Sequence, residues 1–258
     1  MSFGRGSSVA FGRYYVRNKT DREPVLWTVI AEKADEVLLL ANHILTFRTF
    51  NNLPSYNENP NWSDSALRKW LNEKLCAELF ESNVRNFIKP HSYSTKSNGI
   101  IQQNQSIDSG NKPKEIITED VLSLLSWEEC IAYFNFDPEN KMRQIVYENM
   151  KERGISSEIY DVLLSKKGLK TDALPIARSS ATTRSALTRH YSGKGYDDNQ
   201  STYFWLRSPG CNPNTFVYSY DGLVNREGKE CNEVLGVRPI MWISKTTLDY
   251  VTKNGEYK

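Results

Sequence analysis

The chain has 258 residues, 33 of them basic and 31 acidic, for a net charge of +2. This length can bury a sizeable core as one large domain or a domain with an insertion, and the near balance of charge excludes a strong field toward nucleic acid or an anionic membrane. The partner expected instead is a protein or a small molecule.

The first ten residues lack the apolar core of a secretory signal, and no later run approaches a membrane span, so a soluble cytoplasmic protein is expected. Cys76, Cys130, Cys211 and Cys231 are widely spaced, with no Cys-x-x-Cys pair. Free thiols are expected, with neither a zinc ribbon nor a cofactor.

In chain order, Phe11 to Val16, Pro24 to Ile30 and Val37 to Leu40 read as three strands of a meander: short β-branched and aromatic runs between charged turns. The period then changes. Leu67, Trp70 and Leu71 lie at i, i+3 and i+4 behind Ser63, which the spacing makes an N-cap, and Asn72 either breaks this helix or caps a second turn through Leu75, Cys76, Leu79 and Phe80. From His91 to Pro113 apolar periodicity vanishes, which predicts a long exposed loop.

Val121 to Leu125 is strand-like, and Ser126-Trp127-Glu128-Glu129 fits a capping box for a short helix through Cys130, Ile131 and Phe134. Residues 137 to 168 read as a helical insertion in a single domain, opened by Asp137-Pro138 and striped by Met142, Ile145, Val146 and Met150. Residues 171 to 202 are polar. A C-terminal sheet follows: Tyr203 to Ser208, Asn214 to Tyr220, a hairpin turn at Asp221-Gly222, Leu223 to Asn225, and Val234 to Ile243; Thr252 to Lys258 reads as a solvated tail.

Two strands in this sheet carry one arginine each among bulky apolar residues. They are Tyr203 to Gly210, with Arg207, and Gly236 to Ile243, with Arg238. A guanidinium fork suits an anionic ligand, but burial amid Trp205, Leu206 and Trp242 assigns both arginines to locking the strands, through carbonyls or through acids such as Asp120 or Glu128. Trp205, Arg207, Arg238 and Trp242 are accordingly structural.

Phe216, Tyr218 and Tyr220 share one face at strand period, either as a stacking platform or as core, since period alone does not say which face is wet. Asn59-Pro60-Asn61 with Trp62-Ser63-Asp64, and Asn212-Pro213-Asn214, approach the calcium loops of sugar-binding lectins. Neither triplet contains an acid, so turn chemistry accounts for them better. The three histidines are far apart, and neither a phosphate-binding glycine loop nor a Gly-x-Ser-x-Gly elbow is present.

Phe11-Gly12-x-Tyr14, Pro24 to Trp27, Val37 to Leu40, Trp62 to Asn72, Leu124 to Glu129, Trp205 to Gly210 and Gly236 to Ile243 together resemble an uncharacterised bacterial domain family common in Firmicutes. Its Gly-Val-Arg-Pro close is in turn similar to C-type-lectin-like domains of the formylglycine-generating-enzyme and retroelement-diversified kind. That resemblance implies an α+β, C-type-lectin-like fold with a twisted antiparallel sheet and a ligand-facing surface of C-terminal strands and loops. The helical segment 137 to 168 departs from the shared pattern.

The function expected is a non-catalytic binding module that uses loops 178 to 202 and strand 212 to 221, with Arg184, His190, Tyr196, Asn214, Tyr218 and Tyr220 as ligand-facing residues. The alternatives are a formylglycine-generating-enzyme-like oxidase using Cys211, Cys231 or His190, and a structural domain of a larger assembly.

Overall fold

The computed structural model describes residues 3–15, 20–51, 61–96, 115–134, 178–179, 203–210, 215–220 and 223–254. Two compact units separate: Met1–Trp127 with Ile176–Lys258, and Glu128–Pro175, of which only residues 128–134 are described. The helical segment at 137 to 168 and most of the polar stretch 171 to 202 therefore lie outside the described residues.

Alternating apolar residues build the expected meander. β1 (Ser8–Tyr14), β2 (Glu23–Lys33) and β3 (Glu36–Ala41) pair antiparallel, and β3 continues onto the distant β13 (Ile240–Ser244), closing a sheet in the order β1-β2-β3-β13. Gly12 of the Phe-Gly-x-Tyr motif sits at φ +69° inside a register shift of β1. That irregularity brings Phe11 onto Phe80, with ring centroids 4.8 Å apart.

A second sheet holds β9 (Phe204–Pro209), β10 (Thr215–Tyr220), β11 (Leu223–Glu230), β12 (Leu235–Val237) and β5 (Thr46–Arg48) in the order β11-β10-β9-β12-β5. The β10–β11 hairpin closes at Tyr220↔Leu223, the register that a two-residue Asp-Gly turn demands. Two short pairings complete the strands: β4 (His43–Ile44) lies parallel to β8 (Arg178–Ser179), and β6 (His91–Lys96) lies antiparallel to β7 (Glu115–Asp120).

The segment expected as one strand from Val234 to Ile243 is two strands in two sheets. Arg238-Pro239 separates them: Gly236 pairs with Phe47 and Phe204, whereas Ile240 pairs with Leu40. Proline cannot donate to a ladder, so the chain changes sheets where its N–H is missing. The corner is tied by Ala41 N–H donating to the Pro239 carbonyl (3.0 Å) and by Arg238 Nε donating to the Ala41 carbonyl (2.8 Å). Gly236 is pressed against β9, and a Cβ there would lie 2.8 Å from the Tyr203 carbonyl and 2.7 Å from Ile44 Cδ1. Gly236→Ala is therefore expected to cost about 1–3 kcal/mol, read as a lower urea midpoint with an unchanged slope.

The first helix starts at Ser65 rather than Ser63: Ser65 Oγ accepts from Arg68 N–H (3.1 Å), and α1 (Ala66–Trp70) runs on through a π-turn (Leu71–Leu75) into α2 (Cys76–Leu79). Ser63 is instead spent in the turn Asn61–Asp64, donating to Asn61 and to Asp64 Oδ1. Asn72 neither breaks nor ends the helix. It lies within the π-turn and donates back to the Arg68 carbonyl (3.1 Å).

Three further expectations are corrected. Residues 91 to 96 are strand β6 rather than loop, because Tyr93 and Thr95 alternate inward between exposed Ser92, Ser94 and Lys96; residues 97 to 114 are not described. Val121 to Leu125 is irregular, with one bridge from Ser123 to Ile240, although Leu122, Leu124 and Leu125 are buried. Of the tail expected over Thr252 to Lys258, Thr252 to Asn254 instead end a helix, α5 (Lys245–Asn254), which is capped by Ser244 Oγ accepting from Thr247 N–H and buries Leu248 and Val251; residues 255–258 are not described. α3 (Ser82–Arg85) is a single turn, and α4 (Trp127–Phe134) begins where the capping box predicts, its first N–H donating to Ser208 Oγ (2.8 Å).

The core lies where the aromatics of both sheets meet the helix. Phe50 stacks on Phe216 and meets Trp205 and Trp62 edge-on at 5.6 and 5.9 Å.

Candidate functional site

The chemistry-bearing residues divide into groups buried in the frame and groups half-buried against its core. Asp120, at the end of β7, is the clearest of the first kind. Its carboxylate accepts from Arg68 Nε (2.7 Å), Asn72 Nδ2 (3.2 Å), Trp62 Nε1 (3.2 Å) and Thr118 Oγ1 (2.8 Å), and the residue is buried. Asn72 uses its oxygen on the N–H groups of Val121 and Leu122. Trp62, Arg68 and Asn72 of the Trp-x-x-Ser-x-Leu-Arg-x-Trp-Leu-Asn motif are thus the receptor for one buried carboxylate. Asp120 had been expected as a partner of Arg207 or Arg238; it belongs to Arg68, whose helical position brings the guanidinium to the end of β7.

Arg207 and Arg238 are buried and bonded to the frame. Arg207 is 1% exposed; its Nε donates to Thr95 Oγ1 (3.0 Å), and its terminal nitrogens donate to the carbonyls of Ser94 (2.9 Å) and Leu124. It thereby pins β6 and the 121–125 segment to β9. Trp205 is fully buried and donates through Nε1 to the Arg48 carbonyl (2.8 Å). Trp242 is only half-buried, with its ring centroid 5.6 Å from that of His91 and its backbone N–H donating to the Tyr93 hydroxyl (3.2 Å).

The second kind gathers on β9, β10 and β11. Tyr218 and Tyr203 are half-buried with ring centroids 5.3 Å apart, and Lys229 Nζ lies 5.8 and 5.6 Å from the two rings. Lys229 also pairs with Glu233 at 3.0 Å. Partial burial disfavours its ammonium, but the bond to Glu233 and the two tyrosines outweigh this and hold its pKa above the ordinary lysine value.

The expected row of three aromatics is not a row. Phe216 is buried against Phe50, and the register shifts between Phe216 and Tyr218 against both neighbouring strands. Only the backbone of Tyr220 is described, and Arg184, His190, Tyr196 and Asn214 lie outside the described residues. Sequence reasoning missed Tyr203, Lys229 and Glu233, although Lys229 and Glu233 stand at an i, i+4 charge spacing that could have drawn attention.

Of the residues weighed for redox chemistry, Cys231 is buried, and burial pushes its thiol pKa up; Cys76 is shifted the same way for the same reason. A nucleophilic or metal-binding thiolate needs the opposite shift. Cys211 and His190 are not described. Among the described residues no cluster of three metal-ligating side chains occurs, and no helix is long and apolar enough to cross a membrane.

Tyr14 is the strongest titration signal. Burial first, then the nearby Glu78 carboxylate, raise its pKa from 10.0 to about 12. A raised folded-state pKa gives stability that is complete below pH 10 and lost as pH climbs through 12, on the order of 2–3 kcal/mol. Urea midpoints of the wild type should therefore fall between pH 10 and 12 relative to those of Tyr14→Phe, which lacks the ionising group.

These features define a mixed-sheet α+β domain with a spent polar interior. The chain belongs to the family described as a domain of unknown function, DUF6273, whose model matches residues 34–245. No curated protein and no solved structure matches it.

Proposed function

We propose that this chain is a non-catalytic binding module on a C-type-lectin-like scaffold, with its recognition surface on β10 and the segments flanking it. One observation carries the reading: the arginines, tryptophans and buried acid that dominate the sequence motifs are bonded within the frame, while Tyr203, Tyr218 and Lys229 stand half-buried together on the sheet. Aromatic rings beside a cation suit a planar or acidic side chain of a partner, and tyrosines in such a setting bind with little loss of conformational entropy. The lectin-like part rests on the Trp-Leu-Arg-Ser-Pro-Gly and Gly-Val-Arg-Pro strands, which stand side by side in the five-stranded sheet. The raised thiol of Cys231 weighs against the oxidase alternative.

The test is affinity capture from a lysate of the source cell, with wild type and Tyr218→Ser compared at matched thermal midpoints. A partner retained by the wild type and lost by the variant is the expected result. Identical partners for both proteins would overturn the reading, as would a stoichiometric copper ion together with a thiol titrating well below about 8.5.

A further inference from the structure

Arg48 lies on β5, the edge strand of the five-stranded sheet farthest from β11. Its backbone is fixed on two sides: Arg48 pairs with Leu235, and its carbonyl accepts from Trp205 Nε1 (2.8 Å). The side chain lies over the indole of Trp70, with its guanidinium carbon 4.1 Å from the ring centroid. Unlike the Nε of Arg68, Arg207 and Arg238, the buried Nε of Arg48 finds no hydrogen-bond acceptor among the described residues.

A buried donor left unpaired is costly, and native proteins satisfy more than about nine in ten of them, so an unpaired Nε on a stacked, preoriented fork marks a place where an acceptor belongs. We propose that Arg48 and Trp70 form a binding site for a carboxylate group of a ligand or partner.

The surroundings select a carboxylate over a phosphate. The neighbouring arginines are already engaged: Arg13 donates to the Arg22 carbonyl (3.0 Å), and Arg22 donates to the carbonyls of Arg13 (3.2 Å) and Glu78. Of these three arginines Arg48 is therefore the one with an unspent donor, and the Glu78 carboxylate is close enough to act on Tyr14, as Arg48 itself is. A dianion would meet repulsion from Glu78 with one positive charge to offset it, whereas a single carboxylate can take two parallel bonds from a guanidinium edge. Stacking on Trp70 holds the guanidinium plane and lowers the ordering cost of binding.

β9 and β12 separate β5 from β10 in the sheet, so the site is distinct from the surface proposed above.

The experiment follows the Arg48 Hε resonance of the intact chain during titration with sodium acetate, with sodium chloride and inorganic phosphate at matched ionic strength. A saturable shift with acetate alone, half-complete on the order of 1 mM to tens of mM, is the expected result. Weakening of about tenfold or more in Trp70→Leu is expected as well. With Arg48→Lys, which keeps the charge and loses the fork, the acetate-induced shift of the Trp70 indole N–H should disappear. An equal shift in chloride, tighter binding of phosphate, or no saturable shift in acetate would each overturn the site, and the wild-type titration decides this even if a variant fails to fold. Loss of acetate binding alongside intact Tyr218-dependent capture would remove this site and leave the β10 surface standing.

Discussion

Asp120→Ala should lower the unfolding free energy by about 3–5 kcal/mol, because it strips a shared acceptor from Arg68, Trp62, Asn72 and Thr118 in one step. The indole N–H of Trp62 is buried and has no water to turn to, so its desolvation is uncompensated. Asp120→Asn keeps one accepting oxygen and should cost less, while the double replacement with Arg68→Leu should recover part of the loss, since neither partner then remains stranded. Equilibrium urea unfolding of the four proteins measures the cycle. A single-mutant loss under about 1 kcal/mol would place Asp120 among ordinary hydrogen-bonded residues and remove its claim to organise the helix.

The second large effect is expected at Arg207. Arg207→Met retains the alkyl stem but leaves the Ser94 and Leu124 carbonyls and the Thr95 hydroxyl short of a donor, at about 2–4 kcal/mol in total. The damage should be local first: hydrogen exchange of the β6 amides, above all Tyr93 and Thr95, should accelerate before that of β3. An arginine that gripped a ligand would behave oppositely, with unchanged stability and unchanged β6 protection. The two outcomes separate a clamp from a binding residue without knowledge of any ligand.

Much of the frame was legible from residue types alone. The meander, the helix around Leu67 and Leu71, the Asp-Gly hairpin and the burial of Trp205, Arg207 and Arg238 follow from period, turn chemistry and the apolar surroundings of those residues. The misreadings have physical causes as well. β6 is polar on paper because Ser92, Ser94 and Lys96 face outward, and its two buried residues, Tyr93 and Thr95, are too few for their alternation to stand out from the polar residues around them. The C-terminal helix was hidden by its two apolar residues, Leu248 and Val251, too few for a period to register against Lys245, Asp249 and Lys253. At the candidate surface, strand period placed Phe216 with Tyr218, yet the register shift between them sends the first into the core.

The sequence by itself determined which residues had to be buried and that the two arginines among them needed acceptors, because apolar burial and the desolvation of charge are properties of residue types. Which acceptors they found was decided only by the tertiary structure. Asp120 and Arg68 are 52 residues apart, Arg207 and Thr95 112, and Arg238 and Ala41 197, separations across which no local rule reaches. Arg48 marks the same division from the other side: its sequence neighbours give no sign that its guanidinium lies on an indole with a donor unspent, and only the approach of the helix to the edge strand makes it so.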